Sequence, residues 1–126
     1  MSPDKRVVLG VSGASGAALA IAVAERLQRL AGIELHLIVS RAARLTLQAE
    51  VGPDALARLE SLATEVHAIG NLGASLASGS FRTQGMIVAP CSMRTLAAIA
   101  TGMSDNLLVR AAEVHRANHA ANEVQL

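Results

Sequence analysis

Aromatic side chains are nearly missing from this chain. Phe81 is the only one in 126 residues, with no tyrosine and no tryptophan. The core must take its bulk from Leu, Ile, Val and many alanines. Cysteine occurs once, at Cys91, which excludes an intrachain disulfide and fits a reducing, cytoplasmic setting. Charge is sparse as well, with 17% charged residues and a formal net charge of +1. That balance carries no electrostatic footprint for nucleic acid or an anionic membrane surface. No apolar run is long enough to cross a bilayer, and no signal-peptide pattern opens the chain. Neither a nucleic-acid nor a membrane partner is expected. At 52% hydrophobic residues the chain is not disordered. Alanine-rich helices pack closely and bury more surface by assembling, so a homo-oligomer is expected.

What is present alternates between two patterns. "RVVLGV" over 6–11 and "ELHLIV" over 34–39 are short apolar runs bounded by breakers, and read as buried strands. Shorter strands are expected over 65–69 and 85–89. Between them lie helical stretches over 14–30, 41–50, 54–63 and 92–100, with a last helix starting near Ser104-Asp105. The first half of the 14–30 helix is apolar all round and is expected to be deeply buried. Ser40 and Asp54 read as helix caps, and residues 70–80 as a long loop. Strand–helix alternation predicts a parallel α/β sheet. Ligands of such sheets bind beyond the carboxyl ends of the strands. Three of those ends carry small polar residues: 12–15, Ser40 and Cys91-Ser92.

The loop "LGVSGASGAALA" is the first specific signal. Its glycines do not follow G-x-G-x-x-G, and no Lys-Ser or Lys-Thr pair makes it a P-loop. It enters a helix N-terminus, where free N–H groups and the helix dipole attract phosphate. Ser12 and Ser15 can add hydroxyl donors. The loop holds no fixed positive charge, which suits a monophosphate. A tight strand-to-helix turn packed with small residues explains the same spacing equally well. In "APCSMRT", Arg94 supplies the cation that the first loop lacks, unless it is a solvated surface residue beside an ordinary cap at Ser92.

The segments "GVSGASGA", "HLIVSRAARLTL" and "ASLASGSFRTQGMIVAPCSMRTLAAIATGMSDNLLVRAAEV" together closely resemble the UbiX/Pad1 family of flavin prenyltransferases. The resemblance runs from about Arg6 to Val114. It implies a flavodoxin-like, three-layer Rossmann fold with a parallel sheet and an FMN cofactor. It also implies transfer of a dimethylallyl group from dimethylallyl phosphate to N5 and C6 of reduced FMN. The prenylated FMN product serves UbiD-type decarboxylases, and family members are homododecamers. By resemblance, Gly13, Ala14 and Ser15 form the first FMN-contacting turn and Ser40 closes the site. Ser92, Met93, Arg94 and Thr95 form the other wall. Ser15 and Glu50 resemble residues implicated in the prenylation chemistry. Cationic side chains would stabilise the leaving phosphate, and a carboxylate or the released phosphate would take the proton lost from C6.

Past Val114 the chain reads "HRANHAANEVQL", unlike the family. The division expected is an FMN-binding domain over 1–114 and a tail over 115–126, with the C-terminal strand of the flavodoxin-like sheet lacking. The Lys, Tyr and Arg that hold the prenyl phosphate in the family have no counterpart there. Two readings stay open: an FMN-dependent prenyltransferase, and a non-catalytic FMN-binding or assembly module. The related flavin-dependent cysteine decarboxylases share the fold, but "PCSMRT" resembles the prenyltransferases better. No metal site is expected. His115, His119 and Glu123 recur at i, i+4 and i+8 and are read as a solvated tail. His36 and His67 are read as structural or surface residues, Cys91 as a small residue near the flavin, and Asp105 as a helix cap.

Overall fold

A computed structural model describes residues 5–78 and 80–117, and the backbone of 123–125. The described elements follow one another as β1 (Arg6–Val11), α1 (Ala18–Arg29), β2 (Glu34–Val39), α2 (Arg41–Glu50), α3 (Ala55–Ser61), β3 (Glu65–His67), β4 (Gly85–Val88), α4 (Met93–Thr101), α5 (Leu107–Ala117) and β5 (Glu123–Gln125). One turn of 3-10 helix, Ser75–Ala77, interrupts the long loop before β4.

The strands form one parallel sheet in the order β3-β2-β1-β4-β5. Side chains alternate across it. Leu9, Val11, Leu35, Leu37 and Val39 face the layer of α1, α2 and α3. Val8, Ile38, Met86 and Val88 face the layer of α4 and α5. The result is the three-layer, flavodoxin-like α/β sandwich expected. Gly10 has a packing reason: a Cβ there would meet the Leu108 side chain at 3.0 Å. Its absence lets α5 settle against β1.

Five expectations need correction. The sheet does not stop at β4, because Glu123–Gln125 pairs with it in parallel, Gly85 opposite Glu123 and Ile87 opposite Gln125. The outer edge of β4 carries N–H and C=O groups that need partners, and a returning chain supplies them. The first helix begins at Ala18, not at residue 14, because Gly16 takes a left-handed φ of 94° that no helix accommodates. Its first half is also not deeply buried, since Ala18, Leu19 and Ala22 are exposed. Asp54 makes no side-chain cap.

His115 is the fifth correction. It is buried, not solvated. Helix α5 continues through it, and the 3–4 spacing of Leu108, Ala111, Ala112 and His115 turns them all inward. Its Nδ1–H donates to the Ala111 carbonyl at 2.7 Å, so Nε2 accepts from the Thr83 hydroxyl. Burial pushes the imidazole below the ordinary histidine range. The unfolded chain therefore takes up a proton before the folded chain does. Stability is held above the ordinary histidine range and is lost as pH falls from it through the lowered folded value. The urea midpoint should fall between neutral and mildly acidic pH, and less steeply in His115→Gln. An unchanged slope in that variant would remove His115 as a source. His119 and the side chain of Glu123 lie outside the described residues.

Candidate functional site

Strand β1 connects to β2 and β3 on one side, while β4 lies on its other side. The direction of winding reverses between β1 and β4, and the crevice beyond their carboxyl ends is where such folds bind ligands. Two loops leave the strands there, and Ser12 fastens them together. Its N–H and its hydroxyl both donate to the Pro90 carbonyl, at 3.2 and 2.8 Å. The Ser92 N–H donates to the Ser12 oxygen at 2.6 Å. Ser12 is 2% exposed, so it holds the loops together and is not a free ligand donor.

Next to this junction lies a cavity of about 610 Å³. Such a volume suits a small cofactor. Gly13 and Ser40 line it, as do Ser92, Arg94 and Thr95 of the second turn. The three polar strand ends thus converge as the sequence implied. Ala14, Ser15 and Met93 belong to the same turns but do not line the cavity, and Met93 is 79% exposed.

Two helix N-termini open beside it. The Ser40 hydroxyl oxygen accepts from the Ala43 N–H at 3.1 Å and caps α2. The Ser92 hydroxyl oxygen does the same for the Thr95 N–H at 3.1 Å and caps α4. Ser40 directly follows β2 and Ser92 follows β4 after three residues, so both helix dipoles present their positive ends to one crevice. Arg94 and also Arg41 line the cavity. Sequence reasoning missed Arg41, although its place directly after the Ser40 cap was a signal. It also missed Ile69, Gly70 and Asn106 on the far wall. Asn106, not Asp105, caps α5, its side-chain oxygen accepting from the Val109 N–H at 3.0 Å. Asp105 is left on the cavity wall.

The N-terminus of α1 departs from expectation. Its free N–H groups were the phosphate donors inferred from the glycine loop. The structure gives them to Glu50, whose Oε1 accepts from the Gly16 and Ala17 N–H groups at 2.9 Å each. The anion at this helix end is the chain's own carboxylate, brought in by the last residue of α2. Glu50 does not line the cavity. The Ala17 and Gly16 N–H groups, helped by Ser15, hold its carboxyl below the ordinary carboxylate range. The stability it adds is present above the unfolded carboxylate pKa and is lost as pH falls through the lowered folded value. Glu50→Gln should therefore melt below the parent chain at neutral pH, and the two melting temperatures should converge in acid. A constant difference down to the lowest pH would show that the charge is not the cause.

Cys91 is half-buried, and burial pushes its thiol up. Its Sγ donates weakly to the Ser92 carbonyl at 3.6 Å. Among the described residues nothing activates it as a nucleophile.

This geometry is that of a flavodoxin-like domain with a crevice at its switch point, lined by residues of two helix N-termini, Arg41 and Arg94 among them. The sequence profile of the Flavoprotein family matches residues 1–120, and the chain belongs to that family. It is 50% identical over 109 residues to the flavin prenyltransferase UbiX of Thauera aromatica, covering 86% of this chain and 55% of that protein. It is 51% identical over 112 residues to UbiX of Neisseria meningitidis serogroup B, covering 87% and 57%. Among solved structures, AnUbiX (PadA1) in complex with FMN and dimethylallyl pyrophosphate superposes with a TM-score of 0.82 at 43% identity, over 88% of this chain and 58% of that one. A dodecameric FMN-dependent UbiX-like decarboxylase from Escherichia coli O157:H7 gives 0.88 at 38% identity, over 94% and 64%. The chain spans a little over half the length of the curated relatives it matches. Among the described residues, no helix is long and apolar enough to cross a membrane.

Proposed function

We propose that this chain is the FMN-binding part of a flavin prenyltransferase acting in the cytoplasm. The observation that carries the reading is the convergence of Gly13, Ser40, Ser92, Arg94 and Thr95 on one cavity. The resemblance assigned those same residues to FMN. They fit such a group. A Cβ at Gly13 would fall 2.5 Å from the Ala42 Cβ, so the turn lies close against α2 at the edge of the cavity. The α2 and α4 N-termini, with Arg41 and Arg94, suit a monophosphate, and the apolar wall of Ile69, Ala98 and Val109 suits a ring system. Bound in reduced form, FMN would supply N5 and C6 as the positions that take the dimethylallyl group, with phosphate leaving the dimethylallyl carbon and a proton leaving C6.

The chain's own residues orient the flavin and exclude water from one face of it. Glu50, assigned to prenylation by resemblance, acts here as a positioning residue that ties the Ser15-bearing loop and the α1 N-terminus to the end of α2. The prenylated product passes to a UbiD-type decarboxylase. Exposed Leu19, Leu45, Met93, Leu96 and Met103 support assembly into a homo-oligomer, the dodecamer implied by the family. Light scattering should report a multimer, and a well-folded monomer would refute this part.

The decisive measurement is a titration with FMN followed by flavin fluorescence. With no Trp or Tyr in the chain, bound flavin should dominate the near-ultraviolet spectrum. One FMN per chain is the expected result, and no change at high micromolar protein would overturn the reading. Incubation with reduced FMN and dimethylallyl phosphate separates the two functional alternatives. A flavin heavier by one five-carbon unit marks the enzyme. Unmodified FMN with binding intact marks the non-catalytic module.

A further inference from the structure

Away from the flavin crevice, on the sheet face covered by α5, two histidines meet. His36 lies in the amino-terminal half of β2, and His67 ends the edge strand β3. They are 1% and 8% exposed. His36 Nδ1 lies 2.9 Å from His67 Nε2. The Glu65 Oε2 atom lies 3.5 Å from the first and 3.9 Å from the second. Register explains the meeting: His36 pairs with Glu65 and Ile38 with His67, so the three side chains converge between neighbouring strands.

The surroundings prepare these atoms for a cation. Glu34 Oε1 accepts from His36 Nε2–H at 2.6 Å. That bond fixes the tautomer and turns the Nδ1 lone pair toward His67. Arg6 lies against the same Glu34 oxygen at 3.6 Å, and its guanidinium stacks over Phe81 at 4.3 Å. Phe81 in turn packs edge-on against His36, with ring centroids 5.4 Å apart. The lone aromatic of the chain therefore walls one side of the cluster.

We propose that His36 Nδ1, His67 Nε2 and Glu65 Oε2 bind one Zn²⁺ ion. The three atoms form a triangle of 2.9, 3.5 and 3.9 Å. The point equidistant from its corners lies in their plane, about 2.0 Å from each, and an ion displaced about 0.7 Å from it toward a fourth ligand keeps bonds of about 2.1 Å, the length of Zn–N and Zn–O bonds. Two imidazoles and a carboxylate are a donor set that zinc favours. The Glu34–His36 contact supplies the carboxylate partner that metal-bound histidines ordinarily have. Glu65 has a side chain that is 59% exposed, so a water completes the tetrahedron from the open edge. The ion clips the three-residue β3 to β2. This site is independent of the flavin crevice.

The test uses the full 126-residue chain stripped of metal. Zinc chloride is titrated by calorimetry, and cobalt chloride by visible absorption. One ion per chain is expected, with the d–d bands of tetrahedral cobalt and a melting temperature that rises with zinc. The exposed ligand variant Glu65→Gln should bind about tenfold more weakly or worse. Glu34→Gln should lose about ten- to a hundredfold, the usual cost of an outer-sphere partner. His67→Gln should abolish the cobalt bands, and circular dichroism checks that it folds. If it does not fold, Glu65→Gln decides alone, because its change lies at the surface. No binding at 100 micromolar zinc (about a hundredfold above a micromolar site) overturns the proposal and leaves a plain His–His hydrogen bond. Affinity unchanged in Glu65→Gln overturns it too, by placing the metal elsewhere.

Discussion

Arg94→Ala should weaken FMN about tenfold to a hundredfold while changing riboflavin by less than about threefold. The two ligands differ only in the phosphate. Arg94 lines the cavity beside the α4 N-terminus, where a charge-assisted hydrogen bond is worth about 1.5–3 kcal/mol. Arg41 lines the same cavity beside the α2 N-terminus, so Arg41→Ala with Arg94→Ala should cost more than either change alone. Parallel fluorescence titrations with the two flavins check this. Equal loss for FMN and riboflavin would move both guanidinium groups away from the phosphate. The flavin would then be held by its ring.

Gly13→Ala is the second large effect. A Cβ at Gly13 would lie 2.5 Å from the Ala42 Cβ and 3.1 Å from the Ala42 carbonyl carbon. Neither neighbour is the end of a flexible side chain, so the loop or α2 must shift. Overpacking of this kind costs about 1–3 kcal/mol, a fall of roughly 5–15 °C in melting temperature for a domain of this size. The shift also moves two cavity walls, so FMN affinity should fall with stability. Gly70→Ala is the control. Gly70 lines the same cavity, but its added Cβ would meet nothing within 4 Å. It should leave the melting temperature nearly unchanged. Adding Ala42→Gly to Gly13→Ala removes the shortest contact and should recover part of the loss, reduced by about 0.5–1 kcal/mol for a glycine inside a helix. If Gly13→Ala melts like the parent chain, the loop does not pack as closely on α2 as the structure shows.

Features that act within three or four residues were legible in the sequence. The apolar runs of β1 and β2, the bounds of α2, and the caps at Ser40 and Ser92 follow from local chemistry: alternation, breakers, and a hydroxyl reaching an N–H three residues on. The order of elements implied a parallel sheet, and the sheet implied that polar strand ends meet. Tertiary structure alone decided which distant groups satisfy one another. Glu50 reaches the α1 N-terminus across more than thirty residues and takes the N–H groups that the glycine loop promised to a phosphate. Arg41 joins Arg94 at one cavity because two crossovers bring two helix ends to one side of the sheet. His115 looked like part of a polar tail until α5 carried it inward to Thr83. His36 and His67 look unremarkable thirty-one residues apart, and they meet only through the register of β2 with β3. A cap or a strand is encoded within one turn or one run, whereas these contacts depend on where the packed sheet places the ends of other elements, and no local pattern carries that information.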